Sequence, residues 1–262
     1  MTTVNGRYNL MELMVCVAAR QLDDGRTAVI GTGMPLAAAM LAKKTTAPHL
    51  VTMFEAGSAA PELVRLPVSV ADSYTHTRAI LHSSMDEIME TCQRGMVDYT
   101  FLGGAQIDMF GNLNTSMIGT DYRYPKVRLP GSGGANDLAS FCWKTLIITP
   151  HDKRRFVGKL DFLTTPGYLT GPGARELAGL PPGTGPYKVI STLALMGYDP
   201  LSKRMRVESL HSGVTKQDVI DNTGFEMLFA DPLPVTPELT DEELRILREE
   251  VDPEGVIIGK HG

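Results

Sequence analysis

Glu55 closes the apolar run Leu50-Val51-Thr52-Met53-Phe54 and stands directly before Ala56-Gly57. A carboxylate at the end of a core-strand run lies where open α/β sheets bind ligands, outside the carboxyl ends of the strands. Nucleophile, general base and metal ligand are the jobs open to it there. A strand-end glutamate that is only solvated or salt-bridged carries the same signature. A second candidate is the glycine turn Gly31-Thr32-Gly33-Met34-Pro35. Leu36 occupies the place of the third glycine of a dinucleotide fingerprint, so the segment reads first as a structural turn with Pro35 opening a helix. The amides at that helix start remain open to an anion or a carbonyl oxygen.

The third candidate is Pro130-Gly131-Ser132-Gly133-Gly134-Ala135-Asn136-Asp137. Glycines free the backbone to aim several N–H groups at one point, which suits an oxyanion hole or a phosphate nest. Ser132 lacks the Gly-x-Ser-x-Gly frame, because Pro130 takes the first glycine position, and serine-hydrolase chemistry is not expected. Lys153-Arg154-Arg155, preceded by His151, reads as a phosphate grip or, more simply, as a solvated charged face. The histidines at 49, 76, 82, 151, 211 and 261 and the cysteines at 16, 92 and 142 have no metal-ligand spacing, so no metal site is expected.

Alternating strand and helix periods must position these groups, as parallel α/β folds require. Leu10, Leu13, Met14, Val17, Ala18 and Leu22 predict a helix stopped by Gly25. Thr27–Ile30 and Leu50–Phe54 predict strands on either side of the helix-prone stretch Leu36–Lys43. Capping-box patterns at Ser84–Glu87, Thr215–Asp218 and Thr240–Glu243 predict three further helices. Tyr99–Leu102 and Trp143–Thr149 read as core strands. Tyr187–Leu193 and Arg204–Leu210, around the turn at Asp199-Pro200-Leu201-Ser202, predict an antiparallel addition. The expected fold is α/β, with a mainly parallel central sheet flanked by helices and an antiparallel addition in the C-terminal half, as a single domain over 1–262.

Composition narrows the function. The 262 residues are 43% hydrophobic, with 25 Lys+Arg against 30 Asp+Glu and a net charge of -5. That balance argues against a phosphate-backbone binder, so no nucleic-acid partner is expected. No apolar run approaches the roughly 20 residues of a membrane span, and Arg7 and Glu12 interrupt any signal-peptide core. A cytoplasmic, reduced protein without a membrane partner is expected.

In their order and spacing, several motifs together resemble one family: Gly31-Thr32-Gly33-Met34-Pro35, Glu55-Ala56-Gly57, Gly103-Gly104-Ala105-Gln106-Ile107-Asp108 with Gly111-Asn112, and Gly131-Ser132-Gly133-Gly134-Ala135. The likeness continues through His151-Asp152-Lys153-Arg154-Arg155-Phe156, Gly171-Pro172-Gly173 and Asn222-Thr223-Gly224-Phe225. The chain resembles the β subunit of family I coenzyme A transferases, the glutaconate-type β subunit above all. The resemblance implies the CoA-transferase-like fold and a ping-pong transfer of CoA between carboxylic acids through a glutamyl-CoA thioester. It makes Glu55 the nucleophile and Gly133, Gly134 and Ala135 the oxyanion loop. It further points to Gly31, Gly33, Gly103, Gly104 and Gln106 for substrate and CoA binding. Coenzyme A thioester enters as substrate, with no resident cofactor, and an α subunit is the implied partner. Acyl-CoA hydrolases or decarboxylases of the same fold, acting in ring or branched-acid degradation, and a non-catalytic scaffold subunit are the alternative readings.

Overall fold

The computed structural model of the chain describes residues 3–4, 6–67 and 69–259, and the predicted alternation is present in them. The fold is α/β, with a large, mainly parallel sheet flanked by helices. Two compact units compose it, one drawn from Met1–Phe101 and Pro237–Gly262, the other from Leu102–Thr236.

The first unit opens with β1 (Thr3–Val4) antiparallel to β2 (Tyr8–Asn9). Asn9 caps α1 (Leu10–Ala19): its side-chain oxygen accepts from the amides of Met11 and Glu12, and the Glu12 carboxylate accepts from the Asn9 amide at 2.8 Å. Reciprocal use of these orphan donors is why the helix starts at Leu10. There follow β3 (Thr27–Val29), α2 (Met34–Lys44), β4 (Val51–Met53), β5 (Ser58–Ala59), β6 (Leu81–His82), α3 (Met85–Gln93) and β7 (Tyr99–Leu102). Strand β3 pairs in parallel with β4 and β7, while β4, β5 and β6 follow one another antiparallel. Two-residue strands such as β5 and β6 are too short to show a period, so this second antiparallel edge is not visible in the sequence pattern. Helix α1 buries all but its first two residues, and α2 buries the continuous apolar run Leu36–Ala42.

In the second unit β8 (Gln106–Ile107) pairs with β9 (Leu113–Asn114) and β10 (Met117–Ile118) with β11 (Val127–Arg128), both antiparallel. Then come α4 (Ala135–Phe141), β12 (Lys144–Thr149), α5 (Ala174–Leu177), β13 (Pro186–Ser191), β14 (Ala194–Tyr198), β15 (Met205–Leu210), α6 (Lys216–Asp221) and β16 (Leu228–Phe229). Strands β12 and β13 are parallel, β13, β14 and β15 antiparallel, and β16 returns parallel to β15. The antiparallel addition is where the sequence places it, with one difference: β14 lies between the two predicted strands. The 187–198 stretch breaks without Gly or Pro until Gly197. Instead the Ser191 hydroxyl accepts from the amides of Leu193 and Ala194 and turns the chain. Ile107, Leu113, Ile147, Phe156, Val189, Met196 and Val207 form the core of this unit.

Residues 237–259 return to the first unit through α7 (Asp241–Ile246), capped by Thr240 and Glu243, which continues as a π-turn over Leu247–Val251. Arg20 grips Glu243 with two bonds of 2.7 Å, and Arg248 meets the buried Glu12 at 2.6 Å. No described helix is long and apolar enough to cross a membrane.

Candidate active site

The fold hands Glu55 to a tight turn. Met53 ends β4, Phe54 is fully buried, and the Phe54 carbonyl accepts from the Gly57 amide at 3.0 Å while the Phe54 amide donates to the Ser58 carbonyl at 2.9 Å. Glu55 and Ala56 are therefore the corner residues of a reversal that leads β4 into antiparallel β5. Gly57 makes this possible: its φ is +115°, and a Cβ there would sit 2.1 Å from the Ser83 carbonyl oxygen. Ser83 in turn donates its amide and its hydroxyl to the Gly57 carbonyl at 2.7 and 3.0 Å. The Glu55 side chain is half-buried, and its carboxylate has no hydrogen bond or ion pair among the described residues.

Gly31 and Gly33 share the carboxyl edge with Glu55. Strand β3 runs parallel to β4 with Val29 opposite Met53, and the Ile30 amide donates to the Met53 carbonyl at 2.9 Å. The glycine turn and the Glu55 turn thus leave neighbouring strands at the same end. Gly33, at φ +80°, is the residue before α2, and Pro35 lies in the first helical turn. A Cβ at Gly31 or Gly33 would meet no atom within 4 Å beyond its chain neighbours, so packing does not demand glycine in this half-buried turn.

The glycine run of the second unit wraps the start of α4. Gly131 (φ +98°) donates its amide to the Thr115 carbonyl at 2.8 Å, and Gly133 is left-handed at φ +51°. The Ala135 amide donates to the Ser132 carbonyl at 3.1 Å and the Asn136 amide to the Ser132 hydroxyl at 3.2 Å. The amides of Gly133 and Gly134 have no acceptor among the described residues, and Gly133 is exposed. Of the three loop residues, those two present free donors. Ser132 is thus a turn-former that holds the loop, a role the missing elbow motif leaves open and that only geometry assigns.

Gly103 and Gly104 permit a close strand-end approach: a Cβ at Gly103 would lie 3.4 Å from the Ile148 carbonyl oxygen, and one at Gly104 3.1 Å from that of Gln106. The buried Gln106 has a structural task, its side-chain oxygen accepting from Asn114 Nδ2 at 2.7 Å and the Asp161 amide at 3.0 Å. Asn114 neighbours Thr115, which holds Gly131, so Gln106 and the glycine run belong to one hydrogen-bonded framework. Asp108, Phe110, Asn112, Lys159, Phe162 and Leu169 help line a cavity of about 450 Å³ beside it. Burial raises the Asp108 carboxyl above its usual range, opposed by bonds from Asn112 and the amides of Phe110 and Asn112. A larger cavity, about 900 Å³, sits at the C-terminal segment beside Arg248 and Asp252, far in sequence from every candidate residue.

The His151–Phe156 motif forms structure. His151 stacks on Phe156 with ring centroids 3.7 Å apart and bonds Ser191 Oγ and Thr223 Oγ1, each at 3.0 Å. Thr223 comes from the Asn222-Thr223-Gly224-Phe225 motif, and the Gly224 amide donates to the Phe156 carbonyl at 2.7 Å, so two motifs distant in sequence meet. Burial lowers the His151 pKa to about 4 and keeps the ring neutral. Arg155 pairs with Asp152 and Arg154 is solvated. The basic run is a surface face.

Comparison with known proteins fits this architecture. Residues 12–222 match the family of coenzyme A transferases. The B subunit of the 3-oxoadipate CoA-transferase of Pseudomonas knackmussii is 41% identical over 242 residues, covering 92% of both chains. The B subunit of the glutaconate CoA-transferase of Acidaminococcus fermentans is 36% identical over 252 residues, covering 94% of this chain and 93% of the relative. The crystal structure of that glutaconate coenzyme A-transferase superposes with a TM-score of 0.90 at 33% identity, over 97% of this chain and 99% of the other. A cholesterol ring-cleaving hydrolase IpdB subunit of Rhodococcus jostii is 31% identical, but over only 59% of this chain and 60% of the relative. Matched along its length by the B subunits of two transferases, the chain belongs to the coenzyme A transferase family.

Proposed function

We propose that the chain is the β subunit of a heteromeric CoA transferase in which Glu55 carries CoA between carboxylic acids. The observation that carries this reading is a half-buried carboxylate without a counter-charge among the described residues, on a glycine-enforced turn at the carboxyl edge of parallel strands. A carboxylate acts as a nucleophile through an oxygen lone pair and needs no partner base to activate it. It attacks the acyl-CoA thioester carbonyl, the C–S bond breaks, and an acyl-glutamyl anhydride and CoA thiolate result. The thiolate then attacks the glutamyl carbonyl, the donor acid leaves as carboxylate, and Glu55 holds CoA as a thioester. The acceptor carboxylate runs the sequence backwards. Each addition places negative charge on a carbonyl oxygen, for which the free amides of Gly133 and Gly134 are suited donors.

Coenzyme A thioester is a substrate here, and no resident cofactor enters the scheme. Gly31, Gly33, Gly103 and Gly104 give a thioester close approach to the backbone, and the Gln106 side-chain nitrogen remains for a polar contact. The family match spans both compact units, which supports reading 1–262 as one functional module. An α subunit completes the enzyme, as the subunit names of the relatives suggest, and we place the complex in the cytoplasm.

The test is covalent. The purified complex is incubated with acyl-CoA and no acceptor, then reduced with borohydride. The expected product is the alcohol of Glu55, on the peptide containing Met53-Phe54-Glu55-Ala56-Gly57, with inactivation. Glu55→Ala should lower exchange by on the order of 10⁴ or more and remove the label. Glu55→Asp, whose carboxylate is withdrawn by one methylene, should cost about 10²-fold. A label elsewhere, or exchange intact in Glu55→Ala, overturns the assignment. Free CoA accumulating without an acceptor identifies the hydrolase reading instead.

A further inference from the structure

Arg175 is a charged residue only 2% exposed, yet it meets no carboxylate among the described residues. One terminal nitrogen donates to the carbonyls of Pro166 and Gly167 at 3.2 and 2.8 Å. The other donates to the carbonyls of Ala139 and Ser140 at 3.1 and 3.2 Å and to Thr184 Oγ1 at 2.8 Å. Its Nε is buried without a partner. Burying a cation that no carboxylate pairs directly, its charge met only by carbonyl dipoles and by the fields of Tyr168 and Glu176, costs free energy that an apolar side chain of similar length avoids, so stability alone is a poor reason for an arginine here.

What the guanidinium does achieve is geometric. Ala139 and Ser140 lie in the last turn of α4, whose terminal carbonyls have no partner within the helix. The segment they are tied to is itself fixed. A Cβ on Gly167 would lie within 2.5 Å of Gly111, Phe110 and Asn112 backbone atoms, and the Gly167 amide donates to Asn112 Oδ1 at 2.8 Å. At the other end of α4, Asn136 Nδ2 donates to the Thr164 carbonyl at 2.9 Å. Residues 164–167 therefore run along α4 as a strap, fastened by Asn136 at its start and Arg175 at its end. The helix is about 10 Å long and moves as a rod. Its first turn is continuous with Gly133 and Gly134.

The geometry points to Arg175 as a positioning residue that holds the amides of Gly133 and Gly134 in place for the oxyanion by clamping the far end of α4. This rests on the reading of the glycine run as the oxyanion loop. A planar fork that serves four carbonyls on two segments at once has no equivalent in lysine.

The experiment is a double-mutant cycle on the co-purified complex, combining Arg175→Met and Arg175→Lys with Gly133→Val and measuring kcat and the KM for acyl-CoA. Arg175→Met is expected to lower kcat about 10²-fold with KM changed less than about twofold, and Arg175→Lys to fall between it and the native enzyme. In the Gly133→Val background Arg175→Met should cost no more than about threefold further, because both act on one loop. Native kcat in Arg175→Met, or a fully multiplicative loss in the double variant, overturns the proposal while leaving the loop reading intact if Gly133→Val alone is slow. Native kcat in Gly133→Val sinks the loop reading itself and this proposal with it. Should Arg175→Met fail to assemble, Thr184→Val removes a single acceptor. A few-fold loss of kcat at constant KM supports the clamp, and unchanged kcat overturns it.

Discussion

At the scale of the residue, Glu55 is presented by its neighbours rather than by its own contacts. Gly57 combines a φ of +115° with a Ser83 carbonyl that would stand 2.1 Å from any Cβ. Gly57→Ala therefore adds left-handed strain and a backbone clash, and both are relieved by moving the turn that carries the carboxylate. The expected outcome is a loss of on the order of 2–3 kcal/mol in stability by denaturant titration, together with a kcat fall of at least about tenfold in the protein that remains folded. Native stability and turnover in Gly57→Ala would detach the turn from the chemistry. The sequence marks Glu55 by its place after an apolar run. Ser83, 28 positions further on, carries no motif, since its contribution depends on a close approach that only the folded backbone creates.

At the scale of the element, legibility followed length and capping. The helices at Ser84, Thr215 and Thr240 begin where their capping boxes place them, because both partners of each box lie within one turn. Strands β5 and β6, and the break between β13 and β14, were not legible, because pairing with a neighbour defines them and a local period does not. Histidine shows the same limit. His151 looks like part of a basic ligand site, yet it joins the end of β12 to Ser191 on β13 and to Thr223 after α6. His211 bonds Thr236 Oγ1 at 3.0 Å and the Ser191 carbonyl at 2.9 Å, and burial lowers its pKa to about 4 as well. With folded pKa values near 4 and unfolded values near 6.5, the unfolded chain binds more protons across that window. Stability is thus full above pH 6.5 and is lost as the pH falls towards 4, by on the order of 3 kcal/mol per histidine. Urea midpoints measured from pH 7 to 4.5 should show this decline, and His151→Gln should remove about half of it, the His211 share remaining. A midpoint independent of pH in that range would mean the rings are not held neutral.

At the scale of the whole molecule, an exposed apolar surface and an incomplete enzyme belong to one expectation. In the first unit Val64 is 72% exposed and Ile80 87%, with Leu81 and Met85, close to Ile80 in sequence, about half exposed. Such side chains cluster where partner chains bind, and obligate interfaces are large and apolar. A carboxylate acting as nucleophile also needs a site closed to bulk water, since hydration quenches its reactivity and lets water discharge the thioester. The chain expressed alone is therefore expected to bind a hydrophobic dye such as ANS and to show less than about 1% of the exchange activity of the complex with an α subunit, a shortfall of about 10²-fold or more. Adding the α chain should restore turnover and quench the dye signal with the same concentration dependence, because one association event closes the site and covers the surface. Substituting Ile80→Asp in the β chain should weaken that association while leaving its fold, judged by thermal unfolding of the isolated chain, unchanged. Full ping-pong exchange by the homogeneous β chain, with no second polypeptide in the preparation, would show that this subunit encloses its own site and that the exposed residues serve another purpose.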